Sequence, residues 1–287
     1  NDALSLTATE KLTVEALGIG GAVAFASSAN AVAFGGSSGV ATNEVYTETH
    51  VEYGDDDGAA GAGELTSAIG DIEIKSENKS TIIAEGIGAQ LSHANSTGAM
   101  RFSLAIGVGL GRNTVESSTQ AIVADAASLT AVLGSITVSA SNTADISSLG
   151  VAVAIATGMG KGEGVSLAGG GSESTNIVSR NVIAEINGVS DIRAYAALTV
   201  AATDKASIAA ESGVGVLSGG GGVAIGAALA RNYVGYDPDL NKTNDKIHAI
   251  LDYSGDLDAG SVTVTADEKI LIDSDVGAAS MAVAYEA

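Results

Sequence analysis

One short pattern returns five times along the chain and leaves few folds open to it: Ala3-Leu-Ser-Leu-Thr-Ala, Asp71-Ile-Glu-Ile-Lys-Ser, Ser135-Ile-Thr-Val-Ser-Ala, Ala197-Leu-Thr-Val-Ala-Ala and Ser261-Val-Thr-Val-Thr-Ala. Its apolar pairs are Leu4/Leu6, Ile72/Ile74, Ile136/Val138, Leu198/Val200 and Val262/Val264, and ten residues after each first member stand Val14, Ile82, Ile146, Ile208 and Ile272. Counted from the first apolar residue, successive units are 68, 64, 62 and 64 residues long, and a fifth stops at Ala287. Tandem units of this kind bury their apolar faces by stacking on one another. The chain therefore reads as a single elongated repeat domain over residues 1–287, with units at about 3–70, 71–134, 135–196 and 197–260 and a partial unit at 261–287.

Within a unit the period is two. Leu149, Val151, Val153 and Ile155 alternate with Gly150, Ala152 and Ala154, and Leu104, Ile106, Val108 and Leu110 alternate with Ala105, Gly107 and Gly109. This is strand spacing. A helix is excluded because each interior glycine would cost it about 1 kcal/mol and Val and Ile are weak helix formers. With large residues on one side and Gly or Ala on the other, such strands are expected to be covered on both faces, one by a packed interior and the other by a closely approaching neighbour.

Breaks rich in Gly, Ser and Asn follow the alternating runs, at residues 27–30, 93–98, 157–164 and 218–222, and read as turns. Further on comes Asn-x-Val, at Asn43, Asn113, Asn176 and Asn232, 34 to 41 residues into each unit. These asparagines are expected at equivalent corners, where a side-chain amide satisfies backbone groups that a bend leaves unpaired. About six strands per unit follow. The fold class is all-β, an elongated repeat β-solenoid like a parallel β-helix, with two or three coils per unit spaced about 4.8 Å apart and a rod of about 45–65 Å. The alternative is a stack of antiparallel hairpins forming a sandwich or roll.

Composition narrows the function. There are 34 acidic and 13 basic side chains, a net charge of −21, and the basic residues are scattered, so nucleic acid is excluded as a partner. The absence of cysteine removes disulfide scaffolds and thiolate zinc sites, and suits a bacterial surface protein that needs no oxidative folding. Residues 16–43 and 212–230 carry no Asp, Glu, Lys or Arg, yet both runs are studded with Gly and Ser. A spanning helix wants about 20 mostly large apolar residues and a barrel wants aromatic girdles, so the chain reads as not membrane-spanning.

Several motifs match known chemistry without its setting. Gly35-Gly-Ser-Ser-Gly39 fits G-x-S-x-G, but no helix follows Ser37. His50, His93 and His248 lack ligand spacing, and residues 107–111 lack a βαβ context. The acidic clusters say more. Asp55, Asp56 and Asp57, Asp237 and Asp239, and Asp252, Asp256 and Asp258 all fall in loop-like segments. Calcium takes carboxylate and carbonyl oxygens from such loops. Solvated acidic turns are the plainer reading, and weak divalent-ion binding at 55–57 or at 252–258 is the sharper one. No other cofactor is expected, and the chain does not read as an enzyme. Polysaccharide-cleaving β-helices need a basic groove for an acidic substrate, which the scattered Lys and Arg do not supply.

The recurring I-T-V-x-A, G-V-A-V-A-I-A, R-N-x-V and V-x-A-x-I segments resemble the repeats of very large bacterial surface or secreted β-strand-repeat proteins, the filamentous-haemagglutinin-like adhesins. The resemblance covers the whole chain and is one of composition and period. It implies an extracellular or cell-surface location and a structural role in adhesion, matrix or filament assembly. The first unit opens on a strand and the last breaks off inside one, so two open sheet ends are expected to recruit further strands, by end-to-end self-association or from adjoining repeats of a longer chain. A carbohydrate-binding or polysaccharide-cleaving β-helix is the alternative.

Overall fold

The computed structural model describes residues 3–54, 63–160 and 163–283. Its ten strands are β1 (Leu4–Gly54), β2 (Glu64–Ser67), β3 (Ile72–Ala124), β4 (Ser128–Ala131), β5 (Ile136–Gly160), β6 (Glu163–Val189), β7 (Asp191–Gly219), β8 (Val223–Val234), β9 (Lys246–Tyr253) and β10 (Leu257–Val283). Every pairing between them is parallel, which rules out the stacked-hairpin alternative. The one antiparallel bridge outside them, among the described residues, joins Tyr236 to Lys242.

The recurring pattern is the register of this solenoid. Leu4 pairs with Ile72, Ile72 with Ile136, Ile136 with Leu198, and Leu198 with Val262. Each unit therefore supplies one coil, and the expected two or three coils per unit are not found. Five coils spaced about 4.8 Å apart make a stack only about 20–24 Å deep. The long dimension runs instead along the strands, because one coil takes the whole unit to go out and come back.

The chain in each coil folds back over itself. In β1, Gly18 lies against the backbone of Val40 and Gly20 against that of Ser38; in β3, Gly86 meets Leu110 and Gly88 meets Val108 in the same way. Residues 4–28 therefore run outward, and residues 30–54 return facing them, with a register shift between Ser28 and Asn30 at the reversal. The other reversals stack on this one, since Ser28 pairs with Ser96 and Ser96 with Gly160. In the fourth coil the return starts at Val223 paired with Leu167, and Gly220 and Gly221 adopt positive φ there. That shortened tip explains why Asn232 comes earlier in its unit than the other asparagines. At the opposite end β2, β4 and the first residues of β7 form a short third wall.

The interior tapers from this walled end to the tip. Beside the third wall it holds Ile72, Ile74, Leu129, Ile136, Ile186 and Leu198, all buried. Midway it holds Ile82, Val115, Ile146, Val178 and Ile208. Toward the tip only Ala105, Ala152, Ala154, Ala156 and Ala168 with Val214 and Val216 remain, and then Ala31, Ala33 and Ala94. Serines tie the two sheets together: Ser92 Oγ donates to the Ala33 carbonyl, Ser96 Oγ to Ala29 and Ser218 Oγ to Ser166, at 3.0, 2.7 and 2.6 Å. With so little between them, the sheets approach more closely than the usual 10 Å or so.

Candidate functional site

Two inward columns carry buried polar groups. Asn43, Asn113, Asn176 and Asn232 are in register on the returning sheet. Each Nδ2 donates to the next amide oxygen, from Asn43 to Asn113 at 3.0 Å, Asn113 to Asn176 at 2.9 Å and Asn176 to Asn232 at 2.8 Å. Each also donates across to a carbonyl of the facing sheet at 2.6 Å: Ile83, Ser147, Ala209 and Asp273. The four residues lie inside strands, between the reversal and the third wall, and what they serve is a facing sheet.

The second column comprises Glu10, Asn78, Asn142, Asp204 and Glu268 on the outgoing sheet. Sequence reasoning passed over it, although each member stands six residues after the first apolar residue of its unit. Thr49 donates to Glu10 at 2.9 Å, Asn78 to Thr47 at 2.9 Å and Asn142 to Asp204 at 2.9 Å. Arg180 reaches Asp204 from the returning sheet, with Nη1 2.8 Å from Oδ2 and both side chains almost fully buried. Those two atoms contact without an aligned hydrogen bond. Burial holds the Asp204 carboxyl above its ordinary range, against the opposing pull of the Arg180 guanidinium and the Asn142 amide. A charge pair this enclosed is closed to solvent and serves the fold.

Of the acidic clusters, 237–239 and 252–258 fall among the described residues. Asp55, Asp56 and Asp57 lie outside the described residues. Asp252, Asp256 and Asp258 are exposed. Asp258 faces Arg193 Nε at 3.9 Å, while the backbone N–H of Asp256 donates to Asp191. Among the described residues no group of three His, Asp or Glu side chains stands close enough together to hold a metal ion. Asp237 is engaged in its own loop: it accepts from the backbone N–H and the side-chain amide of Asn241 at 2.8 and 3.1 Å and from the backbone N–H of Asp239 at 3.0 Å, which hold its carboxyl below the usual range.

That loop, residues 235–245, interrupts the fourth coil: two residues separate Val178 from Asn181, and eleven separate their partners Val234 and Lys246. It walls a surface cavity of about 380 Å³, lined among others by Arg112, Glu173, Arg231, Tyr233 and Asp239. Arg231 Nη2 donates to Glu173 Oε1 at 2.5 Å within it.

A further feature lies on the outer sides of the two sheets. Toward the tip many outward side chains are aliphatic or aromatic: Leu17, Ile19, Val23 and Phe25 of the first coil are 61–75% exposed, and Val32, Phe34, Ile106 and Ile225 on the other sheet 45–67%, while the column of Leu17 continues through Glu85, Glu211 and Asp275. The alternating runs were expected to be covered on both faces; their Gly and Ala face is buried, while Leu149, Val151, Val153 and Ile155 on the other face are half-buried. The glycines draw the sheets together on that side, and the larger residues are left on the surface. Phe25 stacks on His93 and Phe34 tilts against Phe102, both with ring centroids 5.3 Å apart. Among the described residues no helix is long and apolar enough to cross a membrane.

No family model matches the chain. No curated protein and no solved structure is significantly similar to it.

Proposed function

We propose that this chain is a structural segment of an extracellular or cell-surface repeat protein, whose coils build a rod or filament for adhesion, matrix or surface-fibre assembly. The observation that supports this reading is the one-coil-per-repeat register, from Leu4 through Ile72, Ile136 and Leu198 to Val262, in which each coil presents the same strand to the next. β10 pairs with β7, and among the described residues no strand returns across it. Val262, Val264 and Ile272, the equivalents of fully buried residues in the second and third coils, are 44–53% exposed. A further returning strand of the same pattern would cover them, pair with the edge of β8 and β9, and continue the asparagine column beyond Asn232. The role is that of a repeating scaffold and needs no catalytic group. Self-association end to end, or adjoining repeats, would supply that strand.

A synthetic peptide copying residues 163–187 tests this. It is expected to bind saturably and raise the melting temperature, more weakly when Asn176 is replaced by Ala. Equal behaviour of the copied and scrambled peptides would reject the reading.

The cavity beside the 235–245 loop supports a second reading, carbohydrate binding, because it combines the Tyr233 ring with Glu173, Arg231 and Asp239. Glycan-array binding lost in Tyr233→Ala would favour it.

A further inference from the structure

We propose that the cavity beside the 235–245 loop takes an acidic sugar, a hexuronate residue whose carboxylate is held by Arg112. This rests on the carbohydrate reading of that cavity and names the class of sugar. The residue before each column asparagine is Thr42, Arg112, Thr175 and Arg231 in turn, and the four share one column of the returning sheet. Because successive strand residues face opposite sides, this column stands on the outer side when the asparagines stand inside. Threonine precedes asparagine in the first and third coils, so the asparagine column does not need arginine, and the two arginines are free to serve the outer side. The inserted loop roofs part of it. Thr114 and Ile177 belong to the neighbouring outward column yet are 5% and 2% exposed, whereas Glu44, in the same column of the first coil, is exposed. Pro238, Asp239 and Leu240 line the cavity together with Ile177, which places the turn of the loop over the sheet. Asp245 fixes its base, accepting from Ser179 Oγ at 2.8 Å and from the Arg180 backbone N–H at 3.0 Å.

Charge within the cavity is unevenly paired. Glu173 stands two residues before Thr175, which has Arg112 and Arg231 as its partners on either side, so it lies diagonal to each arginine. It takes Arg231, whose Nη2 donates to Oε1 at 2.5 Å, and Thr175 Oγ1 donates to the same oxygen at 3.1 Å. Arg112 has no ion pair or hydrogen bond among the described residues, and neither does the carboxylate of Asp239. The cavity thus offers one unpaired guanidinium together with the carboxylates of Glu173 and Asp239. A planar guanidinium fork matches a carboxylate. Sugar hydroxyls donate to the oxygens of Glu173 and Asp239, and the Tyr233 ring presents a flat apolar surface to a pyranose. A phosphate fits less well, because its second charge would meet Glu173 and Asp239 while Arg231 is already engaged. At about 380 Å³ the cavity is of the size that holds small ligands.

Calorimetric titration of the whole chain with glucuronate and with glucose, which lacks the carboxylate, is the test. The net charge of −21 repels anions at long range, so ionic strength is kept near physiological, where that field is screened beyond about 8 Å. Glucuronate is expected to bind about tenfold more tightly than glucose, the low end of what a charged hydrogen bond gives, because Arg112 is exposed. Arg112→Ala should abolish the preference and leave glucose binding as it was. Arg112→Lys, which keeps the charge without the fork, should retain part of the preference and serves in its place if the alanine variant loses its circular dichroism. Tyr233→Ala should weaken both sugars. A trimer of galacturonate distinguishes a polymer-borne residue from the free acid as the source of the carboxylate, and tighter capture of either agrees with the proposal. Equal affinities for glucuronate and glucose, a preference that survives Arg112→Ala, or tighter binding of the corresponding sugar phosphate overturns the acidic-sugar inference and leaves the carbohydrate reading standing. Binding of neither sugar nor the trimer overturns both.

Discussion

Asn113 is fully buried and makes three hydrogen bonds: it accepts from Asn43, and it donates to Asn176 and to the Ser147 carbonyl. Replacing it with Ala strands two amides and a carbonyl, at about 1–3 kcal/mol for each buried group left unpaired. Asn113→Ala is therefore expected to lower stability in urea by at least about 2 kcal/mol. Asn232→Ala, at the exposed end of the column, should cost less than half as much. Glycine gives a sharper contrast. A β-carbon at Gly109 would overlap the Val151 and Gly86 carbonyls, whereas one at Gly213 meets nothing within 4 Å. Gly109→Ala should destabilise by about 1–3 kcal/mol or more through overpacking. Gly213→Ala should be neutral or stabilise by about 0.4–1 kcal/mol. Equal effects at the two positions would show that the sheets are not in backbone contact.

Strands β6 and β7 are joined across the interior by Arg180 and Asp204, and this pair sets a dependence on pH. Burial raises the Asp204 carboxyl above its unfolded value. The stability it contributes is complete below the unfolded pKa and is lost as pH climbs through the folded one. The advantage of the native chain over Asp204→Asn should accordingly narrow from acid toward neutral pH, which urea titrations across that range would read. Arg180→Met leaves a buried carboxylate without its partner and should cost about 3–5 kcal/mol at neutral pH. Arg180→Met/Asp204→Leu should recover most of that. The 235–245 loop is added to a complete coil, since β9 resumes the register on β6 after it. Shortening it to two residues is expected to leave thermal stability within a few degrees while removing the cavity.

At the scale of the whole molecule, the unit boundaries and the parallel stacking were legible because Ile72, Ile136, Leu198 and Val262 recur at offsets that a shared register demands. The number of coils per unit was not, because the glycine-rich breaks suggest many short strands, and their reversal at a single tip depends on which residues face across the interior. Nor was the side on which the sheets meet. Period-two alternation of Val with Gly fixes two faces without saying which is inside, and close approach placed the smaller residues there. The column from Glu10 to Glu268 was present at a fixed offset, but its members differ in chemistry and so did not stand out. The charge-free runs 16–43 and 212–230 fall on the tip halves of the first and fourth coils, where they make the apolar outer surface.

The central claim is one coil per repeat. Thr7 and Thr265 are both exposed on the outgoing sheet and belong to one column through Lys75, Ser139 and Ala201. Spin labels on Thr7→Cys and Thr265→Cys, with no native cysteine to interfere, measure the height of the stack by pulsed electron paramagnetic resonance. Four coil spacings predict a narrow distribution centred at about 20 Å. A distribution centred at about 40–60 Å, the height of two or three coils per unit, would contradict the account.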